Sequence, residues 1–435
     1  IGKTFLVGSE QSRYGWTDSH WHRSPTANGE CYVSRSNRQL WTIALFATMT
    51  LTGAALMVRG PIVPELGRTF DAPAWQLGLI APAGTAGYLV AVSIVGFGAG
   101  HLEPHRLIVG GLLGSAVVML GMGVAPLLSV FLLGMLLRGL MNGVLRGLNR
   151  PIISHFYPES RGRMYSYYDM IWAVGAMLGP VSVVVVLALA DWRLVYYTLA
   201  TGMALLAVVV WRLDAPAVET NEEPFDRREI RTLLRKPEVV AMVVVMFLGT
   251  GVEGGLFLWL PPYVGGVLPD GVAGLGLSPA AISSLSLSVM IAGYVPGRFV
   301  YGRLSERVGY LTILAGILVL LLPTFALTFF VAEGVELLLG VVVMGSLISG
   351  IFPMLVSYAT DAVPQHSGPV TAISAISSSL GVGITPAIMG WVISGADTSA
   401  AMQLLLVPLV AALVVVLVAR VAERKRERAG VSIAD

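Results

Sequence analysis

The sequence predicts an all-α membrane protein whose twelve transmembrane helices form two pseudo-symmetric halves of six helices each. Composition is the first reason: 55% of the 435 residues are hydrophobic and only 12% are charged, with a mean hydropathy of +0.76. A soluble protein carries about a quarter charged residues. The second reason is a series of twelve apolar segments, each near the ~20 residues that a helix needs to cross a bilayer. The third is an internal repeat.

The repeat relates positions that lie 206 residues apart. Pro158, Gly162, Gly175 and Pro180 recur as Pro364, Gly368, Gly381 and Pro386, the tripeptide Ala86-Gly87-Tyr88 recurs as Ala292-Gly293-Tyr294, and Gly96 recurs as Gly302. These coincidences need no gap, so they indicate two copies of one unit. Two parallel membrane-embedded halves are common in secondary transporters, where the solute site lies between them.

The apolar segments, numbered here as spans 1 to 12, define the expected domain organisation. They lie at about 40–63, 75–98, 106–125, 127–153, 164–190, 193–212, 239–264, 279–302, 310–331, 337–361, 369–394 and 399–420. We expect a polar cytoplasmic tail (1–39), a first half (40–212), a cytoplasmic linker (213–238), a second half (239–421) and a basic cytoplasmic tail (422–435). The linker is acidic and then basic, and it predicts either a short helix on the membrane surface or a plain solvated connection.

Basic residues predict the orientation in the membrane. With the amino terminus inside, only Arg59, Arg68 and Arg193 fall on the outer side, and the other 25 of the 28 Lys and Arg residues lie in inner loops, in the tails or in the inner parts of spans 4 and 8. The positive-inside rule then places both termini in the cytoplasm. We expect a multi-pass protein of the cell membrane.

Several function classes are excluded by residues that the sequence lacks. Cys31 is the only cysteine, so no disulfide framework can form within the chain. Lys3, Lys236 and Lys425 are the only lysines and none follows a phosphate-binding glycine loop, which excludes a Walker-type ATPase. Because we find no metal-ligand spacing and no nucleophile–base arrangement, we expect no enzyme, metal or cofactor. The expected partners are a small solute, a proton and the lipid bilayer, without nucleic acid, and the protein is expected to be a monomer.

Span 4 carries a row of polar residues at four-residue intervals. The row consists of Arg138, Asn142, Arg146 and Arg150, and it runs beside a row of glycines at Gly139, Gly143 and Gly147. Arg138 lies about 16 Å into the span at 1.5 Å per residue. Intramembrane charges are costly and face a cavity or a partner. We expect Arg146 to pair with Asp169 of span 5, whereas Arg138 has no acid at its depth and is favoured for a solute or proton role.

Spans 7, 8 and 10 contain the remaining candidates. Glu253 lies about 21 Å from the inner end of span 7, where a carboxylate can exchange a proton during transport; a structural acid bonded to a neighbouring helix is the alternative. Asp361 is predicted to form a gate with Arg298 or Arg303. Trp259 and Tyr263 are predicted either to stack on a solute or to belong to the aromatic belt of the membrane interface.

Two motifs resemble those of the major facilitator superfamily. The segment from Gly302 to Gly309 is similar to the loop motif of that family, with Glu306 at the acid position, and the segment from Gly175 to Pro180 is similar to its fifth-span glycine–proline signature. The resemblance implies two six-helix halves that rock about a central site, driven by an ion gradient.

Span 7 resembles a narrower group, the fucose-permease-like sugar–proton symporters. The similarity lies in Gly251-Val252-Glu253, in Trp259-Leu260-Pro261 with Tyr263, and in Gly350-Ile351-Phe352-Pro353 of span 10. A span 7 glutamate recurs in that group, and acids in spans 1 and 4 serve sugar binding and proton coupling. Here those spans carry Arg59, Arg138 and Arg146 instead.

The sequence therefore predicts a secondary active transporter of a small organic solute, either sugar-like or an organic anion, that works by alternating access with proton coupling. The predicted solute-binding residues are Arg138, Asn142, Trp259, Tyr263 and Arg59; those for proton coupling are Glu253 and Asp169; those for gating or structural salt bridges are Arg146, Asp361, Arg298, Arg303 and Glu306. Two alternatives are proton-driven efflux of hydrophobic compounds and a sensor that binds a solute without moving it.

Overall fold

The computed structural model describes residues 35–97, 103–214, 231–272 and 274–428. It confirms the predicted fold class, because the described residues contain twelve helices that are long and apolar enough to cross a membrane. Most of the predicted amino-terminal tail, most of the linker and the end of the carboxyl-terminal tail lie outside the described residues.

The helices of the first half begin and end close to the predicted segments. Spans 1 to 6 comprise Arg35–Met57 with Arg59–Phe70, Ala74–Gly78 with Ile80–Phe97, Pro104–Gly123, Leu128–Phe156, Arg161–Leu189 and Arg193–Trp211. Spans 7 to 12 comprise Pro237–Val267, Pro279–Ser305, Tyr310–Phe330, Gly334–Ile348 with Ile351–Ala362, Ser367–Gly395, and Thr398–Leu404 with Leu406–Arg428.

The sequence repeat is also a structural repeat. Span 5 (Arg161–Leu189) and span 11 (Ser367–Gly395) begin and end at positions that are 206 residues apart. The 3-10 turns that precede them, Pro158–Ser160 and Pro364–His366, keep the same separation. The two halves therefore place the same helical hairpin at equivalent positions.

Four spans are interrupted, and each interruption lies four residues before a proline. Proline has no N–H for the carbonyl four residues earlier, and its ring clashes with that carbonyl, so the helix breaks there. The responsible residues are Pro61, Pro82, Pro353 and Pro408, and the helices before them end at Met57, Gly78, Ile348 and Leu404.

The break in span 1 corrects one prediction. The helix continues after Val58 as far as Phe70, so Arg59 does not reach the outer surface. It is only 2% exposed and lies inside the bundle. The positive-inside count placed it outside because the sequence predicted that span 1 ends near residue 63.

The glycine row of span 4 brings spans 2 and 4 together. A Cβ at Gly139 would collide with the backbone of Gly84, and a Cβ at Gly143 would meet Ala91 and the backbone of Tyr88. Close backbone approach at small residues is the usual packing of membrane helices. This packing fixes the face of span 4 on which its polar row lies.

Candidate functional site

The two halves contact each other near the end of the bundle that is opposite the termini. Gly60 of span 1 lies against the carbonyl of Phe257 in span 7, and the Ser288 hydroxyl of span 8 donates to the carbonyl of Met177 in span 5 at 2.7 Å. The backbone N–H of Trp75 donates to Ser394 Oγ at 2.9 Å. We call this side the closed end, and we call the opposite side, where residues 35 and 428 lie, the terminal end.

Two arginines and a tyrosine form a buried polar cluster inside the first half, which we call the arginine cluster. Arg59 of span 1, Arg138 of span 4 and Tyr196 of span 6 are 2%, 7% and 2% exposed. The guanidinium of Arg59 interacts electrostatically with that of Arg138, and the Tyr196 hydroxyl faces both. Two predicted solute-binding residues are thus brought together.

Neither arginine of the cluster has an acidic partner among the described residues. Arg138 Nη1 donates to the carbonyl of Ala55 at 3.4 Å. The Nε and Nη2 atoms of Arg59 and the Nε atom of Arg138 are buried without a hydrogen-bond partner. The cluster is therefore a positively charged and incompletely satisfied site.

The polar row of span 4 continues from Arg138 toward the terminal end. Asn142 is half-buried, and its Oδ1 atom has no hydrogen-bond partner. Arg146 lies over the ring of Trp172 at 5.7 Å, with its Nε atom unpartnered. Arg150 closes the row through an ion pair with Asp169 at 3.3 Å.

This ion pair corrects the predicted pairing of Arg146 with Asp169. Spans 4 and 5 form a hairpin about the turn Pro158–Ser160, and both helices rise equally per residue. Residues at equal distances from that turn therefore face each other. Arg150 and Asp169 meet this condition, as do Arg146 and Trp172, so Arg146 contacts an aromatic ring.

Glu253 forms a second polar cluster in the other half. Its carboxylate accepts a hydrogen bond from the Tyr294 hydroxyl of span 8. Arg298, one turn along span 8, lies over the Tyr294 ring at 5.6 Å and is a charged neighbour of Glu253. Glu253 is half-buried, and Tyr294 is 2% exposed. We call these three residues the glutamate cluster.

The structure does not place Trp259 and Tyr263 at the solute site. Trp259 is 3% exposed, and its Nε1 atom donates to the carbonyl of Pro386 at 2.9 Å, which joins span 7 to span 11. Tyr263 packs edge-on against Phe329 of span 9 at 5.1 Å. Depth in the membrane suggested these residues, but at 100° per residue they point away from the Glu253 face.

The predicted gate ion pairs are wrong for this conformation. Among the described residues, Asp361 forms no ion pair with Arg298 or Arg303. Arg303 lies over the Phe299 ring at 3.6 Å, and Glu306 is exposed and in no ion pair of the described part of the chain. Asp361 instead neighbours Tyr310 at the terminal end. Equal depth in two spans does not ensure that side chains point at each other.

Sequence reasoning missed three residues of these clusters: Tyr196, Tyr294 and Trp172. Tyr294 had a signal, because the repeat aligns it with Tyr88 in span 2. Tyr196 and Trp172 had none, since a tyrosine or tryptophan in an apolar span is common near membrane interfaces. The described residues also contain no group of three or more His, Cys, Asp or Glu side chains that could hold a metal ion.

Two six-helix halves with a repeated hairpin and polar clusters at mid-span define the class of membrane transport proteins. The sequence profile of the Major Facilitator Superfamily matches residues 45–271 and again residues 264–434. The chain belongs to this superfamily.

Curated relatives are distant. The chain is 20% identical to "Protein TsgA" of Shigella flexneri over 378 residues, which cover 85% of this chain and 92% of that protein. It is 23% identical to the "Glucose/mannose transporter GlcP" of Bacillus subtilis strain 168 over 254 residues, covering 55% of this chain and 59% of the transporter.

Solved structures share the fold. A bacterial homologue of the human lysosomal transporter Spinster, in an inward-facing and occupied conformation, superposes with a TM-score of 0.75 at 17% identity, covering 89% of this chain and 98% of that one. The nucleoside transporter NupG superposes with the same score, 0.75, at 13% identity, covering 88% and 98–99% in two structures whose scores are 0.73 and 0.75.

Proposed function

We propose that this protein is a secondary active transporter that moves a small sugar-like or anionic solute across the cell membrane by alternating access, coupled to protons. It acts as a monomer in this proposal, with both termini in the cytoplasm. The observation that carries the proposal is the Glu253–Tyr294 hydrogen bond between spans 7 and 8. A carboxylate at membrane depth is expensive to maintain and typically marks an ion or proton pathway.

The location of Glu253 supports a role in coupling. Gly251 and Gly254, which flank it in span 7, pack against Thr385 and Val382 of span 11. Phe257, one turn further along span 7, meets Gly60 at the contact between the halves. Protonation of Glu253 would therefore change the charge within about one helical turn of the closed end, where opening and closing must occur.

The family and its relatives support the solute class. GlcP is named as a glucose and mannose transporter, and NupG is named as a nucleoside transporter, so polar, sugar-containing solutes are carried by proteins of this fold. The contacts at the closed end, combined with the predicted orientation, support an inward-facing conformation in which solute exchanges at the cytoplasmic side.

Transport by the purified full-length chain in proteoliposomes tests this function. A labelled panel of sugars and organic acids is offered with and without an inward proton gradient, and protein-free liposomes serve as the control. We expect one member to accumulate only with the gradient and to leave when a protonophore is added. Exchange without accumulation would contradict proton coupling. Binding without exchange would indicate a sensor, and expulsion of hydrophobic compounds would indicate an efflux protein.

A further inference from the structure

The arginine cluster has an electrostatic requirement that the protein itself does not meet. Arg59 and Arg138 are both more than nine-tenths buried, at 2% and 7% exposure. The polar groups that face them are Tyr196 and the carbonyl of Ala55, neither of which is an anion in its ordinary state. A buried charge without an opposite charge is strongly destabilising. Two like charges that face each other increase this cost.

The unpartnered atoms identify the group that would satisfy the cluster. Nε and Nη2 of Arg59 lie on the same edge of the guanidinium, and both are buried and free. This edge presents two parallel N–H donors, which match the two oxygens of a carboxylate. The free Nε atom of Arg138 adds a donor from span 4, while its Nη1 atom is held by Ala55.

A route to the cluster is present in the same helix. Asn142 and Arg146 follow Arg138 at four-residue steps toward the terminal end, and both are half-buried. Each carries a buried polar atom without a partner, Oδ1 of Asn142 and Nε of Arg146. An anion that enters from the terminal end would therefore meet polar groups along one face of span 4.

We propose that Arg59 and Arg138 bind the carboxylate group of the solute, so that the solute is a small organic acid and not a neutral sugar. This inference rests on the proposed transport function for the word solute, but the binding site itself does not depend on transport. Arg59 contributes the two-donor edge, Arg138 contributes the second positive charge, and Tyr196 lines the site between them.

The experiment measures thermal unfolding of the purified full-length protein in detergent, which needs no gradient. The probes are glucuronate and glucose, which share a ring and differ in a carboxylate, together with lactate, succinate and inorganic phosphate. We expect at least one carboxylate to raise the melting temperature in a saturable manner, while glucose does not. No response to any carboxylate, or a stronger response to inorganic phosphate than to every carboxylate, would overturn the proposal.

Variants then locate the site. Arg59→Gln should weaken the binding of the active probe at least about tenfold, as expected for loss of a charge-assisted two-donor contact. Arg59→Lys should bind more weakly than the wild type but better than Arg59→Gln, because lysine retains the charge without the fork. The matched control is Arg68→Gln on the same helix, where the arginine is 72% exposed and pairs with Glu65 at the surface. Equal binding by Arg59→Gln and the control would overturn the proposal.

A second readout remains informative if the glutamine variant binds nothing. In buffer with few carboxylates, Arg59→Gln should melt at or above the wild-type temperature, because it removes a buried charge that has no partner. A lower melting temperature would show that Arg59 is a structural cation. Failure of the proposed proton coupling leaves both binding results unchanged, whereas failure of carboxylate binding leaves gradient-driven uptake of a neutral solute intact, so the two proposals fail separately.

Discussion

The hydroxyl of Tyr294 in span 8 donates a hydrogen bond to the carboxylate of Glu253 in span 7. Arg298 lies over the opposite side of the same ring at 5.6 Å. The tyrosine therefore stands between a carboxylate and a guanidinium and links two helices of the second half. A change in the protonation of Glu253 changes what Tyr294 is bonded to, and this is how we expect a proton to affect helix packing.

Glu253→Gln tests the proton role directly. The amide keeps the size of the side chain and can still accept a hydrogen bond from Tyr294, but it cannot release a proton. We expect gradient-driven accumulation of solute to be lost while solute exchange without a gradient is retained, both measured in proteoliposomes. Accumulation with unchanged pH dependence would remove Glu253 from the mechanism and would leave Asp169 as the next acid to test.

Tyr294→Phe tests the hydrogen bond while leaving the titratable group in place. A hydrogen bond to a charged group contributes about 1.5–3 kcal/mol. We expect the variant to retain transport but to shift the pH at which uptake is half-maximal, because Glu253 loses its donor. Tyr301→Phe in the same span is the control, since Tyr301 is not a neighbour of Glu253. The same pH profile in both variants would contradict a positioning role for Tyr294.

The Arg150–Asp169 ion pair should contribute little to stability. Its side chains are 47% and 46% exposed, and half-exposed ion pairs are typically worth about 0.2–1 kcal/mol. We expect Arg150→Gln, Asp169→Asn and the double variant to unfold within about 1 kcal/mol of the wild type in a double-mutant cycle. A coupling energy of several kcal/mol would show that the pair is a fixed structural element and not a surface contact.

Gly60 should control the closed end. An alanine Cβ there would collide with the carbonyl of Phe257, and overpacking of this kind costs about 1–3 kcal/mol. We expect Gly60→Ala to loosen the contact between the halves and to increase the labelling rate of a Ser288→Cys protein that lacks Cys31. Ser288 is 7% exposed at that contact. Gly110→Ala is the control, because nothing lies within 4 Å of a Cβ at that position.

Membrane orientation is tested by cysteine labelling on a background without Cys31. Thr220→Cys in the linker and Asp270→Cys in the connection between spans 7 and 8 should react from opposite sides of the membrane, with Thr220→Cys reacting from the cytoplasm. Asp270 is preferred to Gly271, which has a φ of 77° that a cysteine would adopt only with strain. Labelling of both positions from outside would contradict the orientation.

The candidate sites could be predicted from the sequence only in part. Arg59, Arg138 and Glu253 are detectable because a charge in an apolar span is rare. Their partners are not, because span number and depth leave the rotation of each helix undetermined. For this reason Arg146 was assigned to Asp169, Asp361 to the arginines of span 8, and Trp259 to the solute, whereas the structure places all three elsewhere.

The sequence by itself determined the twelve spans, the two-fold repeat and the helix breaks, because hydropathy, spacing and proline chemistry act along one chain. Only the tertiary structure decided which charged residues meet. Arg59 and Arg138 are 79 positions apart and share no local pattern, yet spans 1 and 4 bring their guanidiniums together with Tyr196 of span 6. Contact between helices depends on their rotation and crossing, which close approach at residues such as Gly139 fixes only after the chain has folded.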